Sequence, residues 1–317
     1  MRLSAVGCLR RGWTNLAANW ELVLLQWLQS FVVLALMAFG VLLSLLILGA
    51  NLLRADSGSG REIGAWLSGL KALSPALLLA LAALLAVWLA SLLLYCFFQA
   101  GTYGVLAAAD RQALPGSRRQ RDFFRTFSLR DFRGWGARYV WRYFGVALFL
   151  AVLLCGLGGV ALLWLGLAAA GGLEWGSPAA VAIVLGGALP MGFLGLVAGL
   201  GFHLAQADLA SESSGVRTAW RHGLGVLGRR LGAVTGLCVL VAVPLLLLAA
   251  FFLPLSAAAD ALLAGAPGMR ALVRFLLVLL ASLPNTLLVT LFAGALVALV
   301  RSETLPEIRR NPEVQTA

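Results

Sequence analysis

"LSPALLLALAALLAVWLASLLLYCFFQAGTYGVLAAAD", residues 73–110, has no Asp, Glu, Lys or Arg before its last letter. A helix needs about 20 apolar residues to cross the hydrocarbon core of a bilayer, and this stretch supplies more than that. A barrel strand would alternate apolar and polar residues with a period of two, and no such alternation occurs. The stretch therefore reads as a membrane-spanning helix. Five others are equally free of charge: 22–53, 143–173, 175–207, 231–259 and 275–300. Apolar residues make up 61% of the 317-residue chain and charged ones 12%, a balance foreign to soluble domains of this length. Six membrane spans follow.

The end of the quoted stretch returns twice. "AGTYGVLAAAD" at 100–110 is matched by "AGLGFHLAQAD" at 198–208 and by "AGALVALVRSE" at 293–303. Gly101, Gly199 and Gly294 each precede an acid (Asp110, Asp208, Glu303) by nine residues, and each frame closes an even-numbered span. The chain has five Ala-Gly pairs and 13 acids, so about 0.2 matches are expected by chance. The odd-numbered spans share a looser entrance. "RGW" stands at 11–13 and 133–135 and "TAW" at 218–220, each followed by a mixed aromatic and basic stretch suited to a short interfacial helix. Ser128 with Asp131 forms a capping-box signature for the middle one. On the other side, Ser74-Pro75 and Ser177-Pro178 predict helix starts, and Ala266-Pro267 holds the corresponding place before span six. Residues 51–71, with "DSGSGRE", predict a longer flexible loop.

The predicted fold is an all-α membrane protein, with six transmembrane helices arranged as three repeated hairpins and short interfacial helices on the cytoplasmic side. The hairpins cover about 9–110, 128–208 and 215–303 of a single membrane domain, with 304–317 a short polar tail.

Orientation follows from the basic residues. With both termini inside, 19 of the 24 Lys and Arg lie on the cytoplasmic side and five (Arg54, Arg61, Lys71, Arg270, Arg274) outside. This predicts a multi-pass membrane protein with both termini in the cytoplasm. The net charge of +11 then reads as attraction to anionic headgroups, worth about 1 kcal/mol per basic residue, and not as nucleic-acid binding.

Glycines let helix backbones approach closely in lipid, where packing drives association. Gly101, Gly199 and Gly294 lie about 13 Å above their acids along a helix, so each even span is expected to press against a neighbour at equal depth. The acids sit near helix C-termini, where the dipole disfavours them. Each is expected to pair with an Arg of a neighbouring interfacial segment, Arg217, Arg221, Arg229 and Arg230 being first in line for Asp208. The plainer alternative is that the acids face water.

Catalytic chemistry leaves no trace. HExxH, GxxxxGK[ST] and GxSxG are all absent, and no cofactor or metal site is expected. Cys8, Cys96, Cys155 and Cys238 form no CxxC pair and read as buried, inert thiols. Intramembrane polar groups are functional candidates, which singles out His203 and Asn285 as possible cavity-lining residues. A lone His near an interface is more often a helix–helix packing partner, and His203 is expected to be one. Asn285 follows Pro284, whose freed backbone groups an amide could satisfy; Pro190 and Pro244 interrupt spans four and five similarly. No Asp, Glu, Lys or Arg lies inside the spans, which weighs against ion-coupled transport.

In "ADLASESSGVRTAWRHGLGVLGRRLG", residues 207–232, Glu212, Gly215, Ala219, Trp220, Arg229 and Arg230 follow an outline of acid, Gly, Ala with an aromatic, then spaced Arg before an apolar span. In this the chain resembles a group of bacterial six-helix membrane proteins similar to the membrane domain fused ahead of some glycerophosphodiester phosphodiesterases. The resemblance covers the membrane domain and not the hydrolase, so it implies a stand-alone module of the bacterial cytoplasmic (inner) membrane, of unassigned role near lipid metabolism, and gives no ground to infer hydrolysis. Two functions remain. One is a non-enzymatic module whose basic cytoplasmic face binds a partner protein or lipid. The other is a transporter or lipid-handling protein with a cavity among the hairpins. A polar cavity at His203 or Asn285 favours the second, and tight packing throughout favours the first.

Overall fold

Large apolar side chains point outward over most of this molecule. Leu163 and Leu189 are each 73% exposed, and similar exposed residues recur along every long helix. A soluble protein could not carry such a surface, whereas acyl chains solvate it. The computed structural model describes residues 3–56, 63–113, 121–175, 177–212 and 215–310. The helices are α1 (Ala5–Ala18), α2 (Glu21–Asp56), α3 (Ile63–Gln112), α4 (Leu129–Trp175), α5 (Ser177–Glu212), α6 (Val216–Arg229), α7 (Leu231–Leu262) and α8 (Pro267–Arg310). A 3-10 turn, Arg121–Phe124, precedes α4. No strand occurs among the described residues. Helices α2, α3, α4, α5, α7 and α8 contain the segments long and apolar enough to cross a membrane. The protein is an all-α membrane protein.

The spans pack in consecutive pairs, α2 with α3, α4 with α5 and α7 with α8. Far from the basic end the contacts described lie within pairs. Ser44 on α2 donates to the Ala80 carbonyl on α3 at 3.1 Å. Gly187 on α5 lies directly under the Trp164 ring of α4, and Arg274 on α8 donates from Nε to Asp260 on α7 at 2.6 Å.

Near the basic end the pairs converge. Helices α3, α5 and α8 touch one another there, and most of the core comes from Cys96–Ala109, Phe202–Ala210 and Ala293–Val300. The three Ala-Gly frames are thus the centre of the bundle. Each central helix is covered by an amphipathic segment: α3 by the start of α4, α5 by α6, and α8 by α1. The last helix meets the first, and the ring closes.

The covering segments share one buried spacing, four residues and then three: Cys8, Gly12 and Asn15 on α1; Phe132, Gly136 and Tyr139 on α4; Ala219, Gly223 and Val226 on α6. The middle residue is glycine each time. A Cβ on Gly12 would lie 2.6 Å from the Ala295 backbone nitrogen, one on Gly136 would lie 2.7 Å from the Phe97 ring, and one on Gly223 would lie 3.0 Å from the Ala205 nitrogen. This frame replaces the "RGW" alignment, which sets Gly12 against Gly134. Gly134 is exposed, with nothing close to it. The contact surface, not the tripeptide, sets the register.

Only two of the three predicted interfacial helices stand apart. Helix α1 ends at Asn19, whose backbone N–H reaches the Asn15 carbonyl at 3.1 Å. Its buried side-chain amide donates to the Phe124 carbonyl at 2.7 Å and accepts from the N–H groups of Thr126 and Phe127. Asn19 thus ends one helix and fastens the turn before α4. Helix α6 ends at Arg230. The corresponding stretch of α4, Trp141-Arg142-Tyr143, has no such cap, so α4 runs unbroken through 47 residues, about 70 Å. Its start is capped as expected: the Asp131 N–H donates to the Ser128 hydroxyl at 3.0 Å, and that hydroxyl donates to the Asp131 carboxylate at 2.6 Å.

The predicted start at Ser74-Pro75 is overturned. Helix α3 begins at Ile63, and Pro75 lies inside it. Proline removes one helix hydrogen bond, and long membrane helices tolerate that loss. With α2 continuing to Asp56 and α3 starting at Ile63, the described parts of the expected flexible loop are helical; 57–62 lie outside the described residues. The starts at Ser177-Pro178 and Pro267 stand. Helix α8 continues through Arg310, so the beginning of the expected polar tail is helical; 311–317 lie outside the described residues.

Candidate functional site

At the basic end the three acids are more than nine-tenths buried, and each ties its helix to a covering segment. Asp110 on α3 accepts from Arg11 of α1 and also from Arg301 of α8. Asp208 on α5 pairs with Nδ1 of His222 on α6. Glu303 on α8 lies 3.2 Å from Nε of Arg230 and 3.9 Å from Arg229, where α6 meets α7. Arg230 also donates to the Leu3 carbonyl at 2.5 Å. The expectation that Arg serves all three acids fails at Asp208. Its partner is His222, because the buried face of α6 turns position 222 toward α5 and leaves Arg217 and Arg221 exposed. Arg229 and Arg230 go to Glu303 instead.

Asp208 raises the pKa of His222 through their hydrogen bond, and Glu212 adds to this; partial burial and Arg229 oppose it. A group whose pKa is raised on folding stabilises the fold fully below its unfolded value, near 6.5, and loses that contribution as pH climbs through the folded value. Thermal stability of the wild type in detergent is therefore expected to fall as pH rises from 6 to 9. His222→Gln should flatten this slope, and an unchanged slope would dissociate the pair from stability.

The repeated glycines are not equivalent. A Cβ on Gly101 would meet the Phe132 ring at 2.6 Å, and Gly294 packs against Gly12 backbone atoms. Gly199 faces open space, contrary to expectation. Its task falls to Gly201, where a Cβ would lie 2.9 Å from Leu224 and 3.1 Å from Trp220. The intervening turn of α5 points residue 199 away from α6.

Above the charged tier lies a cavity of about 250 Å³ between α7 on one side and α3, α5 and α8 on the other, with Gln26 of α2 reaching in. Helix α7 packs on α8 and α1 but not appreciably on α3 or α5, and the cavity fills that interval. Tyr95, Gln99, Thr102 and Tyr103 recur at helical spacing and so line it from one face of α3. Thr102 lies eight residues before Asp110, about 12 Å along the helix. His203, Cys238 and Thr290 add polar atoms, while Leu200, Val241, Ala242, Leu245, Val289, Phe292 and Ala293 form the apolar wall.

The polar groups are ordered by one another. Gln99 donates its amide to the Gln26 carbonyl at 3.2 Å, and Gln26 donates to the Thr102 hydroxyl at 2.5 Å and to the Phe98 carbonyl at 3.2 Å. His203 is clamped edge-on by Phe202 and Phe292, with ring centroids 5.3 Å and 6.0 Å away. Gln206 is fully buried next to Tyr95 and His203. Neither its amide nitrogen nor its oxygen has an aligned hydrogen-bond partner among the described residues. The amide does lie within hydrogen-bonding reach of the Tyr95 hydroxyl and the His203 ring.

Of the two polar candidates, His203 lines this cavity while packed against Phe202 and Phe292. Asn285 does not line it; it lies exposed on α8. The sequence reading also missed the amides. Gln26, Gln99 and Gln206 stand in charge-free spans, and that was the available signal. Cys8 and Cys96 are buried, and burial pushes the Cys8 thiol, outside the spans, up to about 12, so it stays protonated. Cys155 is exposed on α4, contrary to expectation, in a sequence where every neighbour is apolar or glycine. No group of three or more His, Cys, Asp or Glu residues among the described residues could hold a metal ion.

No protein-family model, curated protein or solved structure matches the chain.

Proposed function

We propose that this protein is a lipid-handling component of the bacterial cytoplasmic membrane, holding a membrane amphiphile in the cavity between α7 and the central helices. The cavity carries this reading. It combines an apolar wall with converging hydrogen-bond groups inside a bundle whose surroundings are lipid, the composition of a ligand site. The resemblance of residues 207–232 to a phosphodiesterase membrane domain is in keeping with a place near lipid metabolism. The three tied pairs are read as repeated hairpins, with the ring of acids closing the base and the cavity above it.

Filling the cavity tests the reading. Ala293 lines it and is 6% exposed, so Ala293→Phe puts a ring into the space. Mass spectrometry of lipid retained by protein purified in mild detergent is expected to find a stoichiometric amphiphile on the wild type and at least about tenfold less on the variant, a difference of about 1.4 kcal/mol. Equal retention on both proteins would refute the site.

In this reading the basic end faces the cytoplasm, with both termini inside and the Arg-rich start of α4 against anionic headgroups. Reporter fusions at residues 60 and 175 are expected to read as external, and one at 120 as cytoplasmic. The opposite signals would invert the orientation.

A further inference from the structure

We propose that the occupant of this cavity carries an uncharged hydroxyl or amide head on a long apolar chain, and is not an ionised phospholipid. The inference rests on the cavity being a lipid site and adds the class of lipid. Among the described residues, no carboxylate, lysine or arginine lines the space. The nearest acid along α3, Asp110, lies about 12 Å below Thr102 and is already paired with Arg11 and Arg301. A phosphate head would leave its own solvation and find no counter-charge, the arrangement that low-dielectric surroundings penalise most.

The groups present suit a neutral head. Thr102, Tyr95, Gln99, His203 and Thr290 offer uncharged donors and acceptors along the lining, and the buried Gln206 below it backs Tyr95 and His203. A hydroxyl gives one hydrogen bond and accepts others, so it complements such a site. The opposite wall, with Val241, Leu245 and Val289, is aliphatic and fits a chain. At about 250 Å³ the cavity holds the volume of roughly eight water molecules. That accommodates a head and the first few carbons. The remaining chain would leave between α7 and α5, helices that do not pack appreciably on each other, and join the bilayer.

The probes are dioleoylglycerol and oleyl alcohol as neutral heads, against dioleoylphosphatidylglycerol and dioleoylphosphatidylethanolamine as ionised ones. Each is offered at equal concentration to the full-length detergent-solubilised protein, and bound lipid is read by native mass spectrometry. At least about tenfold preference for the neutral probes is expected, lost in Ala293→Phe. Gln206→Leu and Thr290→Val, each checked for an unchanged elution profile, should both reduce neutral-lipid retention without raising phospholipid retention. Cavity-dependent binding of phospholipid equal to or above the neutral probes would overturn the neutral-head inference while leaving the lipid site intact. Binding indifferent to Ala293→Phe for every probe would overturn the site itself, and the inference with it.

Discussion

Gly12→Ala is expected to destabilise the protein in detergent by about 3 kcal/mol, the upper end for an overpacked site, whereas Gly199→Ala should leave stability unchanged or slightly raised. Both positions are helix or span glycines, and the sequence frame gives preference to Gly199. Geometry reverses the order. A methyl group on Gly12 meets the Ala295 nitrogen at 2.6 Å and the Gly294 carbonyl carbon at 3.0 Å. These are backbone atoms of a membrane-spanning helix and cannot rotate aside. To admit the methyl, α1 must lift from α8, which opens the closure of the ring and disturbs the Arg11–Asp110 pair one residue away. A methyl on Gly199 meets nothing within 4 Å. Thermal or denaturant unfolding of the two variants side by side reads the difference. Comparable losses in both would mean that α1 does not dock on α8.

Asp110→Ala should cost about 3–5 kcal/mol, because it removes the carboxylate that Arg11 and Arg301 share in a largely buried position. The loss belongs to the broken set and not to any great worth of the ion pairs themselves. Replacing all three charges together, as Arg11→Met, Asp110→Leu and Arg301→Met, is therefore expected to recover most of the stability. The three single effects should fail to add, since each removes part of one network. If Asp110→Ala were as stable as the wild type, the carboxylate would be solvated and the closed tier would not exist.

How much of this was legible in the sequence depends on scale. Six spans could be read from six charge-free stretches, since an apolar run of that length has few other uses. The Ala-Gly…acid frame marked the three helices that form the centre, because close packing in lipid selects small residues and a buried acid must have a partner. Which residue partners it was not legible. Asp208 finds His222 and not one of four nearby Arg because the rotation of α6 is fixed by Ala219, Gly223 and Val226, a pattern that acquires meaning only once α5 is beside it. Gly199 and Gly201 are two residues apart, and only the second faces a neighbour; composition cannot choose between them. The break after α1 and its absence in α4 turn on the side-chain bonds of Asn19 to residues more than a hundred positions away.

The cavity was half legible. His203 stood out because histidine is rare in this chain, while Gln26, Gln99 and Gln206 were passed over because each, taken alone, looks like an ordinary polar residue in a span. The joint meaning of Gln26 and Gln99 appears only once α2 and α3 lie side by side at the cavity, and that of Gln206 only once α5 places it against Tyr95. Asn285 had a comparable claim on sequence grounds, yet α8 turns it outward.

The most direct test of the central claim is an electron cryo-microscopy map of the full-length protein in nanodiscs made from native membrane lipid, at a resolution that shows side chains. Elongated density is expected between α7 and the pair α3 and α5, with its polar end against Thr102 and His203 and its tail leaving toward the bilayer. A map in which α7 packs directly on α3 and α5, with no space and no density between them, would contradict it.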